Sequence, residues 1–97
     1  MYRLIIRPKG ELDIANIYHW YAAHNPAVAE RFMHRLYEQF ERIEENPHAY
    51  PLLTGDIRRT FLHPFPYAIL YRIRHHTIRI IAVFHTSRDP AIWQQRH

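Results

Sequence analysis

Arginine dominates the chemistry open to this chain. Arg58, Arg59, Arg72, Arg74, Arg79, Arg88 and Arg96 all fall within residues 57–97, where Asp89 is the only acid. Residues 1–56 carry six basic against eight acidic side chains, and Lys9 is the only lysine. A guanidinium presents a planar fork of donors that grips phosphate or carboxylate through two hydrogen bonds. Such a concentration predicts a binding surface for something acidic. His85 lies in the same stretch and is able to exchange a proton. With only Asp89 near it in sequence to tune its basicity, a structural hydrogen-bonding role is the favoured reading.

Other chemistries find less support. The histidines at 19, 24, 34, 48, 63, 75, 76, 85 and 97 show no ligand spacing such as an i, i+4 pair beside a glutamate, so no metal is expected. No cofactor is expected. With no cysteine among 97 residues, the fold must be held by packing of helix on sheet rather than by disulfides or thiolate metal sites. Length and composition predict one domain over residues 1–97. The apolar start Tyr2–Arg7 is too short for a signal-peptide core, and no stretch reaches the ~20 residues needed to span a bilayer. The expectation is a cytoplasmic protein that does not engage membranes.

The elements that must position the arginines read as follows. Residues 2–7 form a strand ended by Pro8, which is tolerated in the first turn of a helix. Leu12, Ala15, Tyr18, Tyr21 and Ala22 suggest an apolar stripe on a first helix running to about His24, and the cluster Tyr18, Trp20 and Tyr21 reads as helix packing. Asn25-Pro26 is an N-cap with a first-turn proline. Ala29, Phe32, Met33, Leu36, Phe40 and Ile43 then give a second helical stripe that Asn46-Pro47 ends. Residues 48–56 read as a loop because of Pro51, Thr54 and Gly55. Further strands are predicted over 57–62, 67–74 and 77–85, with His75-His76 as an unusual hairpin turn. The fold class is therefore α+β: an N-terminal strand, an antiparallel helical hairpin, then a twisted, mainly antiparallel sheet packed against it.

A two-residue turn would pair Ile73 with Ile78, Tyr71 with Ile80, Ile69 with Ala82 and Tyr67 with Phe84 on one apolar face. The other face would pair Arg72 with Arg79, Leu70 with Ile81 and Ala68 with Val83, and would also carry Arg74 and His85. Covering the apolar face with the helices turns Arg72, Arg79 and His85 outward together. Directly opposed arginines repel, so either a ligand offsets them or they splay into water.

Ile57-Arg58-Arg59, Phe65-Pro66-Tyr67, Tyr71-Arg72-Ile73 and Val83-Phe84-His85, followed by His85-Thr86-Ser87-Arg88-Asp89-Pro90-Ala91-Ile92-Trp93, resemble in this order the RelE/ParE toxins of type II toxin–antitoxin modules. The resemblance covers essentially the whole chain. It implies a small basic toxin in hetero-oligomeric complex with a cognate antitoxin, whose segment, acidic and apolar in alternation, would wrap the helices and sheet. RelE-like members are ribosome-dependent ribonucleases acting on mRNA, whereas ParE-like members, among them plasmid-stabilisation toxins, are thought to act on DNA gyrase. A metal-independent ribonuclease needs a group that activates the 2′-hydroxyl, cations on the phosphate and a proton donor. RelE-like nucleases carry an arginine directly after the tyrosine matching Tyr67, and here Ala68 stands there. They also carry a tyrosine near the C-terminus, and here the last one is Tyr71. These departures look more like the ParE branch.

The resemblance thus implies gyrase as target and Arg58, Arg59, Arg72, Arg79, His85, Arg88, Trp93 and Arg96 as the target or antitoxin face, with no assigned catalytic group. Trp93 and its flanking arginines are of the types that anchor interfaces. The alternative is an endoribonuclease using Arg59, His85 and Arg88. A further alternative is a non-toxic relic that only binds antitoxin.

Overall fold

The structure is a computed structural model in which residues 1–87 are described. Elements follow in the order β1 (Arg3–Ile6), α1 (Pro8–His24), α2 (Pro26–Glu45), β2 (Leu52–Thr54), β3 (Ile57–Phe61), β4 (Tyr67–Arg74) and β5 (Thr77–His85). The sheet order is β1-β5-β4-β3-β2. β1 runs parallel to β5, and the remaining neighbours are antiparallel. The α+β architecture follows the sequence expectation. β2 does not: part of the predicted loop at 48–56 pairs with β3 through Leu52 and Arg58. Three residues are too few to show a strand periodicity beside Pro51 and Gly55.

Both helices begin with proline at the first turn. Asn25 caps α2, its Oδ1 accepting from the Ala27 N–H at 3.1 Å, which satisfies one of the donors a helix start leaves open. Ala29, Phe32, Leu36, Phe40 and Ile43 of α2 are buried as their spacing predicts, each large side chain contributing about 1.5–3 kcal/mol relative to exposure. The predicted α1 stripe is corrected in part. Tyr21 packs against the core as expected, but the fully inward positions are Gly10, Ile14 and Ile17, and Leu12 is exposed, as is Trp20 beside the stripe. Because α1 is apolar on more than one side, periodicity alone left the inward row offset. Trp20 stacks on the ring of His24, 4.4 Å between centroids, rather than in the core.

The core between helices and sheet gathers Phe32, Leu36, Ile43, Ile69, Tyr71, Ile78, Ile80 and Val83. Gln39, buried, ties α2 to the sheet by donating to Thr60 Oγ1 and Tyr50 Oη, both at 3.0 Å. The Tyr71 hydroxyl donates to the Pro47 carbonyl at 2.6 Å.

The β4–β5 hairpin follows the expected register from its turn as far as Tyr71 opposite Ile80, and Arg72 does oppose Arg79. Beyond that it shifts. Leu70 pairs with Ala82, Ile69 with Val83, Ala68 with Phe84 and Tyr67 with His85, so Ile81 is an extra residue, a β-bulge. The shift begins where β1 stops, since the last β1 pair is Ile6 with Ile80. From there β5 is an edge strand, and bulges concentrate at edges. Asp13 of α1 covers that edge by accepting the Val83 N–H at 3.0 Å.

Candidate functional site

The bulge reassigns faces, because a shift of one residue sends every later side chain to the opposite side of a sheet. Val83 joins the helix-side core, and His85, paired with Tyr67, goes with it. His85 therefore does not share a face with Arg72 and Arg79, as an unbulged register would require. Its ring lies 5.5 Å from that of Tyr67, and its Nδ1 accepts the Ser87 N–H at 3.2 Å. The Ser87 hydroxyl is 2.7 Å from the same nitrogen. Those contacts tie the ring to the segment that leaves β5.

The two neighbouring arginines of β3 also part company. Arg58 opposes Tyr71 and Arg59 opposes Leu70, so Arg58 lies on the helix side. Its Nη1 donates to the carbonyls of Tyr50 at 2.6 Å and His48 at 3.4 Å, latching the segment after α2 onto the sheet. Arg59 lies on the open side with its Cζ 5.0 Å above the Phe61 ring, a cation–π arrangement.

The open face is thus built from Arg59 and Phe61 of β3, Arg72 and Arg74 of β4, and Arg79 of β5. An apolar strip of Ile57, Leu70, Ile81 and Ala82 is buried between them, with Leu53 and Phe84 packed against it. Ala68 sits at one end, opposed by Phe61 on one side and Phe84 on the other, and is 1% exposed. Asp56 sits at the other end. Its carboxylate is 3.1 Å from Arg72 Nη2 and 3.5 Å from Arg74 Nε. Partial burial works against its charge, but the two arginines outweigh that and hold its pKa below the usual carboxylate value. Among the described residues the Nε atoms of Arg59, Arg72 and Arg79 are buried without a hydrogen-bond partner. One acid therefore offsets only part of this surface.

Sequence reasoning missed how far the charge extends. Arg3 pairs with Thr77 and Ile5 with Arg79 in parallel register, so the odd positions of β1 continue along the open face toward Arg7. Arg7, Pro8 and Lys9 then line a cleft of about 640 Å³ with Arg72, Arg74, His75, Arg79 and Ile81. The signal was present in the alternation Arg3, Ile5, Arg7, but only the β1–β5 pairing, which spans most of the chain, converts it into a site. Arg88, Trp93 and Arg96 lie outside the described residues. No group of three or more side chains suited to hold a metal occurs among the described residues.

A second groove, about 770 Å³, runs between α1 and the free edge of β5. Leu12, Asp13, Trp20, Tyr67, Val83 and His85 contribute to it. No helix among the described residues is long and apolar enough to cross a membrane.

Comparison with known proteins agrees with this geometry. The chain is 29% identical over 89 residues to Toxin ParE2 of Mycobacterium tuberculosis, covering 91% of this chain and 85% of that one. Its fold matches a solved structure described as the chromosomal ParDE TA system from P. aeruginosa, with a TM-score of 0.79 at 20% identity over 90% of this chain and 98% of the other. The isolated RelE toxin of E. coli superposes with a TM-score of 0.65 at 16% identity over 98% and 95% of the two chains. Residues 4–90 match the family described as the ParE toxin of the type II toxin-antitoxin system, parDE. The chain belongs to that family: it is a ParE-type toxin of a type II toxin–antitoxin system.

Proposed function

We propose that this toxin is an inhibitory binding protein directed at DNA gyrase, held silent by a cognate antitoxin, and not a ribonuclease. The observation that carries the reading is the surrounding of Ala68. In register with Phe61 and Phe84, it makes an apolar patch at the position where a RelE-like nuclease would aim a cation at the scissile phosphate. A hydrocarbon surface stabilises no developing charge. The division of Arg59 and His85 between opposite faces of the sheet supports the same conclusion, since a general acid or base must reach the phosphate that its partner cation holds. Arg59, Arg72 and Arg79 then serve as docking groups for the target rather than as a catalytic set.

The antitoxin reading rests on family membership and on the groove beside α1. Exposed Leu12 and Trp20 offer apolar anchorage there, and the uncovered part of the β5 edge offers backbone groups. An acidic, apolar segment would fit both this groove and the arginines.

Expression of the chain alone from a tight promoter tests the proposal. Growth arrest with induction of DNA-damage signalling, suppressed when the neighbouring antitoxin is co-expressed, is the outcome expected. Translation arrest with new mRNA ends and undamaged DNA would transfer the protein to the ribonuclease reading. Harmless expression would make it a relic that binds only antitoxin.

A further inference from the structure

The cleft at the β1 end of the open face has a chemistry of its own. Five cations, Arg7, Lys9, Arg72, Arg74 and Arg79, converge on it from the start of α1 and from two strands, with His75 at the rim and no acid among its lining residues. Arg72 and Arg79 are directly opposed across β4 and β5, an arrangement that costs stability unless something negative lies between them. Asp56 reaches Arg72 and Arg74 but makes no contact with Arg79, whose buried Nε has no partner.

Local geometry holds these groups together. The His75 backbone is left-handed, φ 52°, and closes the hairpin so tightly that the Thr77 N–H reaches the His75 carbonyl at 3.0 Å. That keeps Arg74 beside the opposed pair. On the other side, the Arg7 N–H donates to the Ile80 carbonyl at 2.9 Å. An added Cβ at Gly10 would come within 3.1 Å of the same oxygen. The first turn of α1 is therefore pressed against β5, and its positive end, which has no side-chain cap, adds to the field of the cleft.

We propose that this cleft is a binding site for a compact polyphosphate, of the kind a nucleoside triphosphate carries. Its volume is that of a small-ligand site, which typically spans ~300–1,000 Å³. Arginine forks suit the tetrahedral oxygens of phosphate. An extended acidic peptide is less suited, because side chains on one face of a strand recur only about every 7 Å, so few carboxylates would enter one cleft. A nucleic-acid strand would be expected to follow a line of cations. Here Arg59 and its Phe61 ring lie outside the lining and the charge converges on one place. Arg72 and Arg79 belong both to this cleft and to the proposed docking set, but polyphosphate binding is read on the isolated toxin and stands or falls whatever its target is.

Calorimetric titration of the full chain, made by cell-free synthesis, tests this with inorganic tripolyphosphate as the probe at physiological salt. Saturable one-to-one binding is expected, with affinity falling about tenfold or more in Arg79→Gln, where a bidentate grip is lost. It should change little in Arg31→Gln, which removes the same charge from exposed α2. Should Arg79→Gln fail to fold by circular dichroism, Arg74→Gln reads the same site from an exposed position. ATP binding as well as tripolyphosphate would identify a nucleotide held by its phosphates, whereas tripolyphosphate binding alone would identify a free polyphosphate. Absence of tripolyphosphate binding, equal losses in Arg79→Gln and Arg31→Gln, or binding confined to a single-stranded oligonucleotide would overturn the proposal.

Discussion

Arg58 and Arg59 are neighbours in sequence and opposites in role. Arg58 holds two loop carbonyls on the helix side, and hydrogen bonds from a charged donor contribute about 1.5–3 kcal/mol. Arg58→Ala should therefore lower unfolding free energy by about 2 kcal/mol in denaturant titration. Arg59→Ala should cost about 0.5–1 kcal/mol, the size of its cation–π contact with Phe61, while weakening target inhibition. Equal destabilisation by the two would contradict the assignment of faces. Tyr71 gives a second prediction. Burial pushes its hydroxyl up to about 12, with Arg58 opposing and Tyr50 assisting. The fold thus favours the neutral phenol. Its contribution to stability is complete below the ordinary tyrosine pKa of 10.0 and is lost as pH rises toward about 12. Tyr71→Phe should cost about 1–3 kcal/mol at neutral pH by leaving the Pro47 carbonyl unsatisfied. That variant should also show a shallower loss of stability in the alkaline window than the parent protein. Parallel pH profiles would count against the buried hydroxyl.

At the scale of elements, the junction of α1 with β5 sets the site. Replacing Gly10 by alanine would ordinarily stabilise a helix interior by about 0.5–1 kcal/mol. Here the new methyl would meet the Ile80 carbonyl at 3.1 Å, and that oxygen cannot retreat without breaking its bond to Arg7 N–H. Gly10→Ala should lower the melting temperature, and a rise would show that the helix start is free to move. The same junction explains how much was legible beforehand. The bounds of α2, β4 and β5 follow from long stripes and alternation in the sequence, and the Arg72–Arg79 opposition follows from the length of the turn. The bulge at Ile81 does not, because it depends on where β1 runs out along β5, a contact between distant parts of the chain. Everything placed beyond it, His85 above all, was consequently assigned to the wrong face. β2 was hidden by its shortness. The α1 stripe is legible only in part: Tyr21 reaches the core, but Ile14 and Ile17 take the inward side in place of Leu12 and Ala15.

The whole molecule separates two surfaces by one sheet. Helices cover one face with hydrocarbon, while the other presents arginines around an apolar strip and carries, among the described residues, most of the positive charge of the C-terminal half. On the proposed reading this ParE-type toxin docks an acidic partner through those arginines, and Ala68 between Phe61 and Phe84 leaves one end of the face apolar where RNA cleavage would call for a cation. Electrostatic docking of this kind should weaken as salt rises, since exposed charges are screened over about 8–10 Å at physiological ionic strength. The most direct test of the central claim is a paired assay from one preparation of the toxin: supercoiling by purified gyrase, and cleavage of mRNA on translating ribosomes. Loss of supercoiling with intact mRNA, relieved by Arg72→Ala and Arg79→Ala, is the expected result. Ribosome-dependent mRNA cleavage with normal supercoiling would contradict the claim.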